Sequence, residues 1–158
     1  THVIVSESAK TVMKYESDNF EESMKRIESN SDKIYEESDI AASIASGSFK
    51  VDGMIVAPCS MKSLSAIANG YSDNLVSRAA DVQLKQQRKL VLVPRESPLN
   101  AIHLENMLKL ARIGVWIIPP MLCYYTKPKS VKDLTNNVVG RVLDAFEIEH
   151  NLYRRWEK

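Results

Sequence analysis

Four short apolar runs in this 158-residue chain each end in residues that can do chemistry. His2–Val5 runs into Ser6, and Gly53–Ala57 runs into Pro58-Cys59-Ser60-Met61-Lys62-Ser63. Leu90–Val93 stops at Pro94-Arg95-Glu96, and Val115–Ile118 stops at Pro119-Pro120, with Tyr124-Tyr125 just beyond. Hydroxyls beside a helix start, with free backbone N–H groups and the helix dipole, suit a phosphate. Arginine suits it too, because its planar fork binds phosphate oxygens in pairs. Two more cations, Arg78 and Lys85, are seven residues apart in a helical pattern and so share a face, with Asp81 between them. Arg141 adds a further one. Together they point to a small phosphorylated ligand. Glu96, directly beside Arg95, and Glu16, beyond the first helical pattern, are placed for general acid or base work.

Each residue also has an ordinary structural reading. Serine after a strand is a common helix N-cap, and Arg78 with Asp81 makes a solvated surface pair. Glu96 suits a salt bridge, Glu16 an exposed surface, and His103 packing or hydrogen bonding near the core. The functional reading rests on convergence of several such residues on one rim.

The elements that must build that rim follow from hydrophobic patterning. The four runs are continuously apolar rather than alternating, as in strands covered on both faces of a parallel sheet. Helical patterns lie between them at Ser8–Tyr15, Phe20–Ile27, Ser60–Ala68, Asp73–Gln87, Asn100–Ile113 and Val131–Phe146. Asn100 and Ser130 are natural N-caps, and Gly114 is a stop. A further short strand fits Lys33–Tyr35. This alternation implies right-handed crossovers and an α/β fold, a Rossmann-like three-layer sandwich with a mostly parallel sheet. Such sheets bind ligands beyond the carboxyl ends of their strands. Residues 1–158 read as a single domain.

Composition narrows the function. Twenty-one Lys plus Arg against twenty Asp plus Glu give a net charge of +1, which argues against a nucleic-acid binder. Cys59 and Cys123 are 64 residues apart and His2, His103 and His150 are scattered, a poor basis for a metal site. Both cysteines read as small buried hydrophobes in a reducing compartment. No apolar run is long enough to span a bilayer and no signal-peptide pattern is present, so a cytoplasmic protein is expected. Tyr153-Arg154-Arg155-Trp156 forms a basic-aromatic tail suited either to packing on another subunit or to fraying.

Several longer stretches carry a resemblance. Ala57-Pro58-Cys59-Ser60-Met61-Lys62-Ser63-Leu64, Asp73-Asn74-Leu75 with Arg78-Ala79-Ala80-Asp81-Val82, Lys89 through Glu96, and Ile102 through Leu108 occur in the order found in flavin prenyltransferases. Ala45-Ser46-Gly47-Ser48-Phe49 and Arg154-Arg155-Trp156 are similar as well. The chain thus resembles the UbiX-like family, formerly described as aromatic-acid decarboxylase subunits. The resemblance implies a flavoprotein without a metal. Such proteins join a dimethylallyl group to reduced FMN, at N5 and then C6, and the prenylated FMN serves a UbiD-type decarboxylase.

Carried over residue by residue, the resemblance implies that Ser6, Ser60, Met61, Lys62, Ser63, Arg78 and Arg95 hold the flavin and its phosphate. It implies that Lys85, Arg95, Tyr125 and Arg141 grip dimethylallyl phosphate, and that Glu96 and Glu16 handle protons. Glu96 is the base expected to remove the C6 proton. Trp156 matches a C-terminal aromatic near the site, and the family's dodecamers build sites between subunits. Two departures stand out. The family's N-terminal strand, Gly-x-Ser/Thr-Gly loop and helix have no counterpart ahead of Thr1, so one βα unit is expected to be missing. Leu122-Cys123-Tyr124 replaces a common Pro-Ala-Phe, while Met61-Lys62 resembles the branch once named for phenolic-acid decarboxylation. Two other readings stay open: an FMN-dependent cysteine decarboxylase of related fold, and a non-catalytic flavin-binding or assembly subunit. The first lacks its expected Pro-x-Met-Asn-x-x-Met-Trp loop in this sequence.

Overall fold

A computed structural model of the chain describes residues 1–156. Strand β1 (His2–Ile4) leads into helices α1 (Glu7–Glu16) and α2 (Phe20–Ser29), then strand β2 (Lys33–Tyr35) and a 3-10 turn at Ser43–Ala45. Strand β3 (Gly53–Cys59) is followed by α3 (Met61–Ala68) and α4 (Leu75–Lys85). Strand β4 (Lys89–Pro94), α5 (Ala101–Arg112), β5 (Trp116–Ile117) and α6 (Val131–Ala145) complete the order.

All the strand pairs are parallel, as the continuously apolar runs imply. They form two sheets rather than one: β1 with β2, and β3-β4-β5 in that order. Among the described residues, β1, β2, β3 and β5 therefore each keep one edge without a strand partner.

The β3-β4-β5 sheet holds most of the core. Leu90 and Leu92, 0–1% exposed, face the cluster with Val56, Cys59, Leu64, Ile67, Ala80 and Leu110. Val91 and Val93 point the other way, onto Val142, Ala145 and the half-buried Val138 and Phe146 of α6. Period-two alternation along β4 thus separates helix layers on opposite faces, which is the three-layer arrangement. Each fully buried leucine contributes about 1.5–3 kcal/mol on transfer alone.

The β1-β2 half is different. Neither α1 nor α2 buries a residue. It leans on the larger half through Tyr35, Ala42, Ala45 and Leu75, which cluster together. The Leu75 amide also donates to the Glu37 carbonyl at 2.8 Å, and Arg88 donates to the carbonyls of Gly47 and Phe49 at 2.7 and 2.8 Å.

Some expected boundaries shift for local reasons. The α4 helix starts at Leu75, not Asp73, because Asn74 is its N-cap: its side chain accepts the Ser77 N–H, and Ser77 reciprocates. Strand β3 runs on to Cys59, with a register irregularity between Val56 and Cys59, where Pro58 offers no N–H. Strand β5 shrinks to two residues. Gly114 ends α5 as expected, at a φ of +89° that favours glycine. Cys59 is buried, but Cys123 is half-exposed rather than buried. No described helix is long and apolar enough to cross a membrane.

Candidate active site

The carboxyl ends of β1 and β3 each deliver a helix start. Ser6 follows β1 and caps α1, its hydroxyl accepting the Ala9 N–H at 3.1 Å. Ser60 follows β3 and caps α3 in the same way, accepting the Ser63 N–H at 3.2 Å. The structural and functional readings of these serines are compatible, because a capping hydroxyl keeps its own proton to donate. The Ser60 and Ser63 hydroxyls are 3.1 Å apart. Met61 packs partly on the core while Lys62 is exposed. One turn of chain therefore presents two hydroxyls, a cation and the free N–H groups of a helix terminus.

Arg95 and Glu96 leave the end of β4, which the Arg95 amide fastens to β3 by donating to the Cys59 carbonyl at 3.3 Å. The Arg95 guanidinium reaches Glu16 at the end of α1, with Nη1 at 2.9 Å from both carboxylate oxygens. Two residues 79 apart in sequence, each expected at the site, thus meet across the two halves. Glu96 is exposed and accepts only its neighbour's amide, from Ser97 at 3.0 Å, among its described hydrogen bonds. Its carboxylate is left open to a ligand.

Tyr125, Arg141 and Trp156 form a second group. The Tyr125 and Trp156 rings meet edge to face, 5.5 Å between centroids. Arg141, on α6, lies 3.8 Å from Asp144. Hydrogen bonding to Tyr153 is the largest influence raising the Arg141 pKa, and Tyr125 is near enough to add to it.

Not every expected residue joins these groups. Arg78 is tied into the fold: its Nε donates to the Ala45 carbonyl at 3.3 Å, and Nη1 is 3.5 Å from Asp81. Lys85 ends α4, exposed, and takes part in no described hydrogen bond or ion pair. A cavity of about 320 Å³, lined by Val5, Lys10, Met24, Glu28 and Tyr35 among others, includes none of the expected residues.

Cys59 stands beside Ser60 yet is no nucleophile. Burial pushes its thiol up to about 12, so it stays neutral. Sequence reasoning missed Asp144. Its carboxylate is held down at about 2, first by the Tyr153 hydroxyl and then by Arg155, with His150 adding to them. The only sequence signal was an i+3 spacing to Arg141.

Helix starts, hydroxyls and cations gathered at the carboxyl ends of parallel strands define a phosphate-binding α/β protein of the doubly wound kind. Comparison with known proteins narrows this. The family description Flavoprotein matches residues 1–143. The flavin prenyltransferase UbiX of Methanocaldococcus jannaschii is 50% identical over 155 residues, which is 98% of this chain and 83% of the relative. A dodecameric FMN-dependent UbiX-like decarboxylase from Escherichia coli O157:H7 has a TM-score of 0.95 at 52% identity, over 100% of this chain and 84% of that one. AnUbiX (PadA1), solved with FMN and dimethylallyl pyrophosphate, has a TM-score of 0.94 at 46% identity, over 100% and 82%. The chain belongs to the Flavoprotein family and, within it, to the UbiX-like flavin prenyltransferases.

Proposed function

We propose that this chain transfers a dimethylallyl group from dimethylallyl phosphate to reduced FMN. The observation that carries the reading is the junction at the ends of β3 and β4. There Ser60, Lys62, Ser63 and the α3 N-terminus lie beside Arg95 and a Glu96 whose carboxylate has no cationic partner among its described contacts.

This donor set fits a flavin mononucleotide. Hydroxyls, backbone N–H groups and a lysine match a phosphate dianion and the polar edge of a ring system, with no demand for a metal. Ser6, Ser60, Met61, Lys62, Ser63 and Arg95 would hold it, and Arg78, engaged by the Ala45 carbonyl and Asp81, would do so only through its remaining N–H groups. When bound, reduced FMN supplies the electron-rich ring that accepts the allyl group.

The chain's own residues do the rest. Lys85, Arg95, Arg141 and the Tyr125 hydroxyl stabilise charge on the departing phosphate. Tyr125 and Trp156, edge to face but exposed in the single chain, would wall the allyl group from water once a second copy covers them. Glu96 accepts the proton released at C6, and Glu16 sets the Arg95 guanidinium.

Lys85, exposed at the end of α4, suits a site completed between copies of the chain. Exposed apolar side chains at Met121, Leu122, Tyr124 and Trp156 border the second group and suit burial in a homo-oligomer, with a dodecamer as the expected form. The free edges of β1 and β3 suit one further parallel strand between them, from a βα unit additional to those described. We also place the protein in the cytoplasm and its product with a UbiD-type decarboxylase.

Anaerobic incubation with FMN, a reductant and dimethylallyl phosphate, then mass spectrometry of released flavin, tests the reading. A flavin heavier by one isoprene unit is expected. Unmodified flavin from protein that binds FMN would overturn it in favour of a non-catalytic flavin carrier.

A further inference from the structure

One carboxylate gathers His150, Tyr153 and Arg155 of the described C-terminal segment. Asp144 lies in the last turn of α6, its side chain 20% exposed. Its Oδ1 accepts from Arg155 Nη2 at 2.7 Å and His150 Nε2 at 3.1 Å. Its Oδ2 accepts the Tyr153 hydroxyl and lies 3.8 Å from Arg141 Nη1.

The surrounding bonds fix the roles of each atom. His150 Nδ1 accepts the Leu152 N–H at 3.2 Å, so its proton sits on Nε2. That proton is shared between Asp144 and the Gly140 carbonyl, 2.9 Å away. The imidazole is only 6% exposed. Gly140 supplies a second, independent sign that the tail is seated here. A Cβ at this position would lie 2.5 Å from the Tyr153 ring and 2.7 Å from His150, so the tail packs directly on helix backbone.

Two paths leave this carboxylate. One is the ion pair to Arg141. The other runs through Tyr153 and Arg155 to Trp156, whose ring stands against Tyr125. At 3.8 Å the Asp144–Arg141 contact is long and Arg141 is more than half exposed, so Asp144 and Tyr153 bias where the fork points without enclosing it.

We propose that Asp144 is a positioning residue that sets both Arg141 and the Trp156-bearing tail at the allyl-phosphate end of the site. This rests on the reading of Arg141, Tyr125 and Trp156 as that end. An ionised carboxylate is required, because an amide offers one acceptor oxygen and no charge to four cationic or donor partners.

Asp144→Asn keeps the shape and removes the charge. The KM for dimethylallyl phosphate is expected to rise about tenfold, with FMN affinity within about twofold. General instability would lower the active fraction and so kcat, leaving KM alone. Tyr153→Phe, which removes one bond to the carboxylate, should give a smaller rise in the same parameter and guards against misfolding of the first variant. Brief trypsin treatment with mass spectrometry supplies a readout independent of activity: release of the residues after Arg154 or Arg155 should be several-fold faster in Asp144→Asn.

An unchanged KM for the allyl phosphate in both variants would overturn the proposal, and so would unchanged tail cleavage. If the wild-type protein transfers nothing, the proposed function fails by itself. Faster cleavage in Asp144→Asn would then still uphold the anchoring of the tail.

Discussion

The two sheets of this molecule are built to different standards. Strand β4 buries four consecutive apolar residues, Leu90 to Val93, between two helix layers. The β1-β2 half pairs three residues with three and carries helices that bury nothing, depending on Tyr35 and Leu75 to hold it to its neighbour. The candidate site straddles the divide. Ser60 to Ser63, Arg95 and Glu96 stand on the firm half, while Ser6 and Glu16 stand on the soft one. Stability and site geometry are therefore partly separable: the firm half carries Ser60, Ser63, Arg95 and Glu96, and the soft half meets them through the Glu16–Arg95 contact.

The largest effect expected from this contrast is on stability. Leu92→Ala should cost about 2–5 kcal/mol, since the residue is fully enclosed and its surroundings cannot all collapse. Ile34→Ala, in the half-buried centre of β2, should cost about 1 kcal/mol. Urea denaturation measures both, and equal costs would erase the distinction. Native-state hydrogen exchange should sharpen it, with β1-β2 amides exchanging before those of β3 and β4.

Chemistry should divide along the same line. Glu96→Gln, on the firm half, should slow completed transfer by about 10²–10⁴-fold, the range for a lost general base. Glu16→Gln should slow it about tenfold if its part is to aim Arg95, which it touches, and by as much as Glu96→Gln if it handles protons as the resemblance implies. Mass spectrometry of the flavin over time distinguishes them. A Glu16→Gln enzyme as impaired as Glu96→Gln would mean that the soft half also does chemistry.

The helix caps offer a smaller comparison. Ser60→Ala removes the cap of α3, which buries Leu64, Ile67 and Ala68, and should cost about 1 kcal/mol of global stability. Ser6→Ala removes the equivalent bond from α1, which buries nothing, so its cost should appear as local fraying and only a few tenths of a kcal/mol in denaturation. Matching global costs would show that α1 is coupled to the core after all.

How much of this was written in the sequence follows the same division. The strands at Leu90–Val93 and Gly53–Ala57, the caps at Asn100 and Ser130 and the stop at Gly114 were all legible, because local chemistry decides them. The separation into two sheets was not, since strand pairing depends on which edges meet across many residues. Asp144 stayed hidden for a related reason: Tyr153, His150 and Arg155 converge on it only when the tail folds back over Gly140. Arg95 and Glu16 were each picked out as site residues, but their direct contact was not, because no spacing rule reaches 79 residues. The resemblance to a known family named candidates that local reasoning alone could not assemble.

That contact supports the smallest prediction. Arg95 and Glu16 are about half exposed, 49% and 54%, so water screens the pair and its contribution to stability should be well under 1 kcal/mol. A double-mutant cycle with Arg95→Met and Glu16→Gln measures the coupling directly. Near-zero coupling in urea denaturation, together with strong coupling in transfer rate, is the expected result. It would mean that the ion pair joins the halves for orientation, holding Arg95 where an incoming phosphate can displace or share its partner. A coupling above about 1 kcal/mol in stability would instead make this pair a true fastening between the sheets. The soft half would then be firmer than its packing implies.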